Sequence, residues 1–398
     1  MQNNILVINC GSSSLKFSLM NPVNGQIILA GLAECLLTAE AVITIKHQEK
    51  KISIALSDPF DHEVAIKFLV DYLTEHQLKK SVYAIGHRVV HGGEKYSQPT
   101  LIDEDVKISI EQLSKLAPLH NPANLQGIQA AEKAFKQTPQ VAIFDTAFHQ
   151  TMPKKSYLYG LPYHFYQDHG IRKYGFHGTS HYFVCKETAT ILKKPIEQCN
   201  IISAHLGNGC SVTAVKQGKS VDTSLGLTPL EGVMMGTRSG DIDAGVIFHL
   251  VEQLGYSLEE VNNILNKKSG LLGVSQLSND CRTIEEAASN GNVQATLALE
   301  IFSYRIAKSI ASFTCNFTSL DGLIFTGGIG ENSMFIRSLI LSQLALLNFH
   351  EDKLANETMR FGKQGNIAQR NSTPCWVIPT NEEWVIAEQT YQRLNQEQ

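Results

Sequence analysis

Two distant stretches of the chain repeat one arrangement, in which a buried-strand run is followed by a glycine-rich turn and a second apolar run. In the first stretch, ILVI at residues 5–8 precedes the turn Gly11-Ser12-Ser13-Ser14 and a returning apolar run. In the second, NIISAHLGNGCSVTAVKQGKSVDTS at residues 200–224 indicates a strand, a glycine-rich turn and two further strands. A short apolar run bounded by turn residues is typical of an interior strand. The repeat predicts a duplicated domain with a cleft between the copies.

The first of these turns has the residues of an anion site. Its small hydroxyl residues leave backbone N–H groups exposed, and Lys16 follows at once. Such a turn suits a phosphate group. An ordinary serine-glycine hairpin is the alternative reading of this stretch alone.

Composition excludes several classes of protein. The chain has 398 residues, of which 43% are hydrophobic, so two or three domains with a large core are expected. Its 34 basic and 38 acidic residues form no long run of either sign, which argues against nucleic-acid and membrane partners. Eight cysteines without metal-site spacing, and no targeting or membrane-spanning pattern, predict reduced thiols and a cytoplasmic location.

Short strand-like runs alternate with helical patterns along the chain, which predicts an α/β fold. The runs read as strands are SVYAIGHRVV, QVAIFDTAFH, CNIISAHLGNG and DGLIFTGGIGEN. The runs read as helices are VNNILNKK and TLALEIFSYRIAKSIASFTCNF.

Several familiar motifs are incomplete. The GKS string at residues 218–220 has Thr213 where a phosphate-binding P-loop needs glycine, and neither GNG nor GIG completes a dinucleotide fingerprint. The zinc-protease H-E-x-x-H and hydrolase G-x-S-x-G patterns are missing from the sequence.

Polar side chains follow the predicted strands at the points where the strands end. Ligands of α/β sheets gather at the carboxyl ends of strands, so these side chains are expected to share one crevice. Taken singly, an arginine is usually a surface ion-pair partner and a histidine a structural hydrogen-bonding group. His177 and His181 have the spacing of helical metal ligands, but no matching carboxylate or thiolate lies nearby in sequence, which argues against zinc. The set comprises Arg88, His91, Asp145, His177, Arg238, Asp241, Glu382 and Glu383.

Nine segments together resemble the acetate kinase family over nearly the whole chain. In chain order they are NCGSSSLK, HRVVHGG, APLHNPANLQGI, FDTAFHQTMP, YGFHGTSH, AHLGNG, GTRSGDID, TGGIGEN and PTNEE. The resemblance implies the superfamily of acetate and sugar kinases, heat-shock chaperones and actin. Its members have two duplicated actin-like (ribonuclease H-like, βββαβαβα) domains and an interdomain active-site cleft. The expected domains are residues 1–147 with 384–398, closed by an amphipathic C-terminal helix, and residues 148–383.

The resemblance implies reversible phosphoryl transfer from ATP to acetate, giving acetyl phosphate and ADP, with Mg²⁺ or alternatively Mn²⁺. It implies catalytic roles for Asp145, His177 and Arg238, substrate binding by Arg88, and metal binding by Asn9 and Glu382. The methyl pocket would be lined by Val90, Leu119, Phe176 and Pro229. The ATP contacts would be Lys16, His205, Leu206, Gly207, Asn208, Gly209, Asp280, Cys281, Arg282, Gly328, Ile329, Gly330, Glu331 and Asn332.

The residue types suit this chemistry. A transferring phosphoryl group spreads negative charge over three oxygens, which arginines and a histidine donor stabilise. A guanidinium can hold a carboxylate or phosphoryl group bidentately. Acetate, with a pKa near that of glutamate at about 4.3, is already ionised at neutral pH and needs no base. Asp145 is therefore expected to orient Arg88, Arg238 or a magnesium-bound water.

Two residues depart from the family pattern, and other functions stay open. Cys10 stands where a small residue is required, and Trp384 where a smaller aliphatic residue is usual. A propionate or butyrate kinase is the nearest alternative, and an ATP-driven clamp or a passive nucleotide or phosphate sensor would belong to different classes. A homodimer is expected from the resemblance alone.

Overall fold

The computed structural model of the chain describes residues 3–118 and 120–396. It divides into two compact units. Within the described residues, the first unit takes 3–147 with 381–396, and the second takes 148–380. The chain re-enters the first unit at Asn381, slightly before the boundary expected at residue 384.

The strands and helices alternate along much of the chain. The strands are β1 (Asn4–Gly11), β2 (Ser14–Met20), β3 (Ile27–Glu34), β4 (Val42–His47), β5 (Lys50–Ala55), β6 (Val82–Val89), β7 (Thr100–Leu101), β8 (Gln140–Phe144), β9 (Ile201–Leu206), β10 (Cys210–Lys216), β11 (Lys219–Thr223), β12 (Gly322–Thr326), β13 (Gly365–Asn366) and β14 (Cys375–Val377). The helices are α1 (His62–Glu75), α2 (Glu104–Leu113), α3 (Asn121–Ala134), α4 (Lys154–Tyr157), α5 (His164–His169), α6 (Gly178–Ile191), α7 (Gly245–Glu252), α8 (Leu258–Lys267), α9 (Gly270–Ser275), α10 (Cys281–Ser289), α11 (Val293–Phe313), α12 (Gly327–Asn332), α13 (Met334–Ser342), α14 (Lys353–Thr358) and α15 (Glu382–Asn395).

The first unit contains a mixed sheet in the order β5-β4-β3-β2-β1-β6-β8-β7. Strands β1 to β5 pair antiparallel in sequence order. Strands β1, β6 and β8 run parallel to one another, and β7 closes the sheet antiparallel to β8. The carboxyl ends of β1, β6 and β8 therefore meet at one edge of the sheet, where ligands of α/β proteins gather.

The second unit repeats this core. Its sheet has the order β11-β10-β9-β12-β14-β13, in which β9, β10 and β11 pair antiparallel and β9, β12 and β14 run parallel. The order β11-β10-β9-β12-β14 corresponds strand for strand to β3-β2-β1-β6-β8 of the first unit. The predicted α/β class and the duplicated strand-turn-strand pattern are confirmed.

Strand β1 is apolar on both of its faces because helices cover both faces of the sheet. Leu6 and Ile8 pack in a cluster with residues of α1 and α3. Ile5 and Val7 point the other way and pack with residues of α15. A strand covered on both sides has a continuous apolar run rather than an alternating one, which explains the sequence ILVI.

Helix α15 forms as the sequence predicts and packs on the sheet of the first unit. The Asn381 side chain caps it by accepting a hydrogen bond from Trp384 N at 3.1 Å. The Trp384 indole N–H donates to Pro22 O at 3.1 Å, so this large residue is fixed by the loop after β2. The same cap places Glu382 and Glu383 in the first turn of the helix.

Two predicted segments differ in extent. The glycine-rich half of DGLIFTGGIGEN is not strand, because β12 ends at Thr326 and the next six residues form α12. The helical run ending in TCNF is shorter than expected, because α11 ends at Phe313. The Thr314 hydroxyl donates to Ala311 O at 2.7 Å, and such a side-chain bond competes with the next helical turn.

Among the helices of residues 3–118 and 120–396, none has both the length and the apolar character needed to cross a bilayer.

His87 makes the stability of the first unit dependent on pH. Burial lowers the pKa of His87 to about 4, although its Nε2 lies 2.6 Å from Gln140 Oε1. The unfolded chain, with an ordinary histidine pKa of about 6.5, then binds the proton more readily between pH 6.5 and pH 4. The free energy of unfolding is therefore expected to decrease as the pH is lowered from 6.5 to 4, by up to about 3 kcal/mol.

Urea unfolding between pH 7 and pH 4.5 measures this effect. In a Trp376→Phe background, fluorescence reports on Trp384 in the first unit. His87→Gln is expected to flatten the pH dependence, whereas His164→Gln, which changes an exposed histidine of the second unit, is expected to leave it unchanged. Equal slopes for His87→Gln and the parent protein would contradict the assignment.

Candidate active site

Three polar side chains lie together at the carboxyl ends of the parallel strands of the first unit. Asn9 is near the end of β1, Arg88 near the end of β6, and Asp145 directly follows β8. The register pairs Ile8 with His87, and Asp145 N donates to Val89 O at 2.9 Å. Neighbouring parallel strands thus position three groups that are distant in sequence.

Arg88 and Asp145 form a buried ion pair. Arg88 Nη2 donates to Asp145 Oδ2 at 2.9 Å, and the two side chains are 20% and 1% exposed. Burial opposes the charge on Arg88, but the carboxylates of Asp145 and Glu382 outweigh it and raise the pKa of Arg88. Arg88 Nε is also buried, and it has no hydrogen-bond partner among the described residues. The guanidinium therefore keeps one donor available for a bound anion.

Lys16 is paired on the surface. Its Nζ lies 2.7 Å from Glu383 Oε1, with 60% of the lysine side chain exposed. An exposed pair of this kind contributes little to stability, so a phosphate could replace the carboxylate at small cost.

His62 is a residue of this region that the sequence patterns did not single out. Its Nε2 donates to Gly11 O at 2.8 Å, although the two residues are far apart in sequence. His62 is buried at the start of α1 and fixes the carbonyl that opens the β1–β2 turn.

In the second unit, His177 is held by a network of serines and histidines. His177 Nδ1 lies 2.9 Å from Ser211 Oγ, and Ser211 Oγ lies 2.7 Å from His181 Nε2. The other nitrogen of His181 lies 2.7 Å from Ser203 Oγ. His177 also stacks on His205, with ring centroids 4.4 Å apart. Both ring nitrogens of His181 are therefore engaged by serines.

His177 occupies the N-cap position directly before α6 and has a left-handed backbone conformation with φ of 57°. A positive φ is uncommon for a residue other than glycine and is often found at functional sites.

Gly209 lies between His177 and Arg238. A Cβ at Gly209 would lie 3.4 Å from His177 Nε2 and 3.5 Å from Arg238 Nη1. His177, directly before α6, and the loop that carries Arg238 therefore bring an imidazole and a guanidinium to one glycine of the β9–β10 turn. A side chain at this position would occupy the space that the two donors face.

Arg238 has no carboxylate partner among the residues that the structure describes. Its Nη1 donates to Pro229 O at 3.1 Å and contacts Met235 Sδ at 3.7 Å. Burial lowers the pKa of Arg238. A partly buried guanidinium without a counter-ion is stabilised by binding an anion.

The predicted nucleotide segments lie in the second unit, but several of their side chains are already engaged within the protein. The Asn208 amide oxygen accepts from Asn279 Nδ2 at 3.0 Å. Glu331 Oε1 accepts from Gly327 N at 3.0 Å and from Thr380 N at 3.1 Å. Asn208 connects the loop after β9 to the loop before α10, and Glu331 connects the segments after β12 and β14. Backbone groups are therefore the more available ligand contacts.

The segment at the start of α10 presents one exposed charge. Asp280 caps the helix by accepting from Arg282 N at 2.9 Å, and its Oδ2 lies 3.0 Å from Arg282 Nη2. The Arg282 side chain is 89% exposed. Burial raises the pKa of the Cys281 thiol, which contacts Glu285 Oε1 at 3.4 Å. Cys281 therefore packs into the protein, and its side chain is a poor candidate for an ATP contact.

Helix α12 is held by Arg337 of α13, which is fully buried. None of the sequence motifs singled out this residue. Arg337 Nη1 donates to Gly330 O at 2.8 Å, and its other nitrogens bond to Asn356 and Met359. A Cβ at Gly328 would meet no atom within 4 Å, so this end of the segment is open. Asn332 is engaged by Gly328 O and Phe361 N.

Known proteins match this chain over its full length. The model of the acetokinase family matches residues 4–388. The chain is 56% identical over 395 residues to the acetate kinase of Shewanella sp. strain W3-18-1, covering 99% of both chains. The chain belongs to the acetokinase family.

Two solved structures of the same fold extend this comparison. The acetate kinase of Porphyromonas gingivalis has 42% sequence identity and a TM-score of 0.93, with 98% of this chain and 100% of that chain covered. A propionate kinase from Francisella tularensis has 47% identity and a TM-score of 0.93, with 97% and 98% covered.

The methyl-pocket residues expected for an acetokinase are divided between the units. Val90 in the first unit and Phe176 in the second are buried, and Pro229 is half-buried beside Arg238. Leu119 lies outside the described residues.

The two residues expected to bind a metal ion, Asn9 and Glu382, offer an amide and a carboxylate. Asn9 pairs with Lys16 across β1 and β2, and Glu382 opens α15. Within residues 3–118 and 120–396, no group of three or more His, Cys, Asp or Glu side chains could hold a metal ion. The donors fit Mg²⁺ that keeps most of its water, because Mg²⁺ is usually bound by one or two protein oxygens.

Ser211 is expected to position His177 rather than to touch substrate. Ser211→Ala removes the hydrogen bond to His177 Nδ1, so acetokinase kcat should fall about tenfold, the equivalent of one lost hydrogen bond. KM values should change little, because the residue holds a donor and not a ligand.

Ser203→Ala is the matched control, since Ser203 contacts His181 but not His177. Steady-state kinetics of both variants separate the two roles. Equal losses in the two variants, or a rise in KM without a change in kcat for Ser211→Ala, would contradict the positioning role.

Proposed function

We propose that this chain catalyses the reversible transfer of the γ-phosphoryl group of ATP to acetate, giving acetyl phosphate and ADP by direct in-line transfer. The observation that carries the proposal is a pair of guanidinium groups with spare anion-binding capacity, one in each unit. Arg88 has a buried Nε without a partner, and Arg238 has no carboxylate partner among the described residues. Membership of the acetokinase family supplies the reaction class.

Charge distribution in the transition state explains why these groups are needed. The transferring phosphoryl group carries negative charge on three equatorial oxygens, so fixed positive donors accelerate the step. Arg238 and His177 Nε2, which both face the Gly209 position, would serve the phosphoryl group. Arg88 would hold the acetate carboxylate.

Asp145 acts through Arg88. Acetate is ionised at neutral pH, so the acceptor needs no general base. The Asp145 carboxylate is buried and already bonded to Arg88 Nη2 at 2.9 Å. Of the three orienting roles expected for Asp145, this contact supports the one directed at Arg88.

The nucleotide would be bound by the second unit through backbone groups at 205–209 and 328–330 and through the exposed Arg282. The engaged side chains of Asn208, Glu331 and Asn332 would keep these loops in place. Lys16 would exchange Glu383 for a terminal phosphate.

Asn9 and Glu382 would hold Mg²⁺, with Mn²⁺ as the alternative, partly through water. When bound, the ion would supply positive charge that offsets the negative charge of the phosphate groups. Glu382 acts electrostatically on Arg88, which supports its place at the same edge of the sheet.

The propionate kinase reaction is the second candidate, because the Francisella tularensis propionate kinase is among the similar structures. One extra methylene in a hydrophobic pocket changes the free energy of binding by only about 1–3 kcal/mol. Val90, Leu119, Phe176 and Pro229 would line the pocket that sets this preference. We expect acetate to be preferred and propionate to be used with a penalty.

A homodimer and a cytoplasmic location are the remaining parts of the proposal. Helix α7 has no buried residue and exposes Val246 and Phe248, the latter to 63%. A second copy of the chain would cover this apolar surface. The cytoplasmic location is supported by the eight cysteines, which are all unpaired in the described residues.

Hydroxylamine trapping tests the proposal directly. Protein, ATP and Mg²⁺ are incubated with acetate, propionate or butyrate, and the acyl hydroxamate is measured. Acetate should give the highest specificity constant. Arg88→Ala and Arg238→Ala should each lower it by roughly 10²–10³-fold, as for loss of a transition-state donor.

Arg370→Ala is the control. It changes an exposed arginine that belongs to none of the proposed catalytic, substrate, nucleotide or metal residues, and it should retain full activity. Full activity in Arg238→Ala would refute the site, and no hydroxamate from any of the three acids would refute the function.

A further inference from the structure

The segment APLHNPANLQGI contributed to the family resemblance, yet no functional role has been assigned to its asparagines. It includes the first turns of α3, where Asn121, Asn124 and Gly127 recur every three residues and so share one helix face. Asn121 and Asn124 are 0% and 3% exposed. This face packs on β1 and β6 near their carboxyl ends.

Asn124 connects two backbone segments with a single amide. Val90 N donates to Asn124 Oδ1 at 3.0 Å, and Asn124 Nδ2 donates to Cys10 O at 2.8 Å. Val90 follows β6 and belongs to the proposed methyl pocket, whereas Cys10 leads into the β1–β2 turn. The parallel ladder between β1 and β6 ends at Ile8 and His87, so the side-chain amide bonds to backbone groups of Val90 and Cys10 beyond that end.

The fit between α3 and β1 is close at the same point. A Cβ at Gly127 would lie 2.1 Å from Cys10 Sγ. The thiol of Cys10 therefore fills the space above a residue without a side chain, which explains how the chain tolerates cysteine here. Because Cys10 packs against α3 and Asn124 bonds to both Cys10 and Val90, a shift of Asn124 would move the ends of both β1 and β6.

Asn121 provides a natural comparison, because it is equally buried but bonds to the loop after β6 and to α2. Its Oδ1 accepts from His91 N at 3.0 Å, and its Nδ2 donates to His91 O at 3.1 Å and to Ile110 O at 3.4 Å. It makes no bond to β1 among the described residues.

We propose that Asn124 is a positioning residue that fixes the acetate-binding loop at Val90 relative to the phosphate-binding turn after Cys10. The inference rests on the proposed function for the roles of these two segments. It adds that one buried amide sets the position of the acetate-binding loop relative to the phosphate-binding turn of the first unit. Loss of this amide misaligns the acceptor without removing any group that contacts substrate.

Kinetics of Asn124→Ala and Asn124→Asp, with Asn121→Ala as the matched control, test the proposal. Asn124→Ala removes both bonds, whereas aspartate keeps an acceptor for Val90 N but cannot donate to Cys10 O. We expect kcat/KM for acetate to fall roughly 10- to 100-fold in Asn124→Ala, as for a small misplacement of reacting groups, with an intermediate loss in Asn124→Asp. KM for ATP should change less than twofold, and the preference for acetate over propionate should weaken.

A second measurement does not depend on activity. Hydrogen exchange followed by mass spectrometry should show faster exchange in peptides covering Val90 in Asn124→Ala, and faster exchange at His91 in Asn121→Ala. Similar losses of kcat/KM for acetate in Asn121→Ala and Asn124→Ala, or losses that affect ATP and acetate equally, would overturn the positioning role. So would unchanged exchange at Val90. If the parent protein forms no acyl hydroxamate, the proposed function fails, and exchange at Val90 still decides whether the amide holds the loop.

Discussion

The ion pair between Arg88 and Asp145 is the interaction on which the polar edge of the first unit depends. Two charges are removed from water at the ends of neighbouring strands, and such a pair is costly unless its geometry is good. Adjacent parallel strands provide that geometry, because the register that pairs Val89 with Phe144 brings the following Asp145 to Arg88. Removing one partner would leave a buried charge uncompensated, at a typical cost of about 3–5 kcal/mol. The pair also leaves Arg88 Nε unsatisfied, so the fold retains binding capacity for an anion.

The second unit orients its donors with neutral groups instead. The Ser211 hydroxyl holds the His177 ring at Nδ1 and also contacts His181, and Arg238 is held by a backbone carbonyl. Among the residues that the structure describes, Arg88 therefore has a carboxylate partner and Arg238 has none. This difference suits a reaction in which one guanidinium holds a carboxylate that is present throughout, while the other meets charge that develops during transfer.

The sequence predicted those features that depend on local pattern. The apolar run of β1, the two strand-turn-strand repeats and the amphipathic α15 follow from periodicity and turn residues, and the structure confirms them. The predicted ends of strands likewise identified Arg88 and Asp145 as candidate site residues. The helical form of Gly327–Asn332 was missed, because it is supported by tertiary bonds of Glu331 with Thr380 N and of Arg337 with Gly330 O.

The supporting residues could not be predicted for a related reason. His62, Asn124 and Ser211 bond to residues between 30 and 114 positions away, so no local pattern records their partners. Each is a buried polar residue, and because burying such a group without a partner is costly, each needs one. The sequence alone does not identify that partner.

Comparison of Asp145→Asn with Asp145→Ala tests the central interaction most directly. Asparagine keeps the size of the side chain and an oxygen that can accept from Arg88 Nη2, but it has no charge. Alanine removes the contact altogether. If Asp145 orients Arg88, acetate turnover is largely retained in Asp145→Asn and lost in Asp145→Ala. Complete loss in both variants would contradict the orienting role and show that the negative charge itself is required.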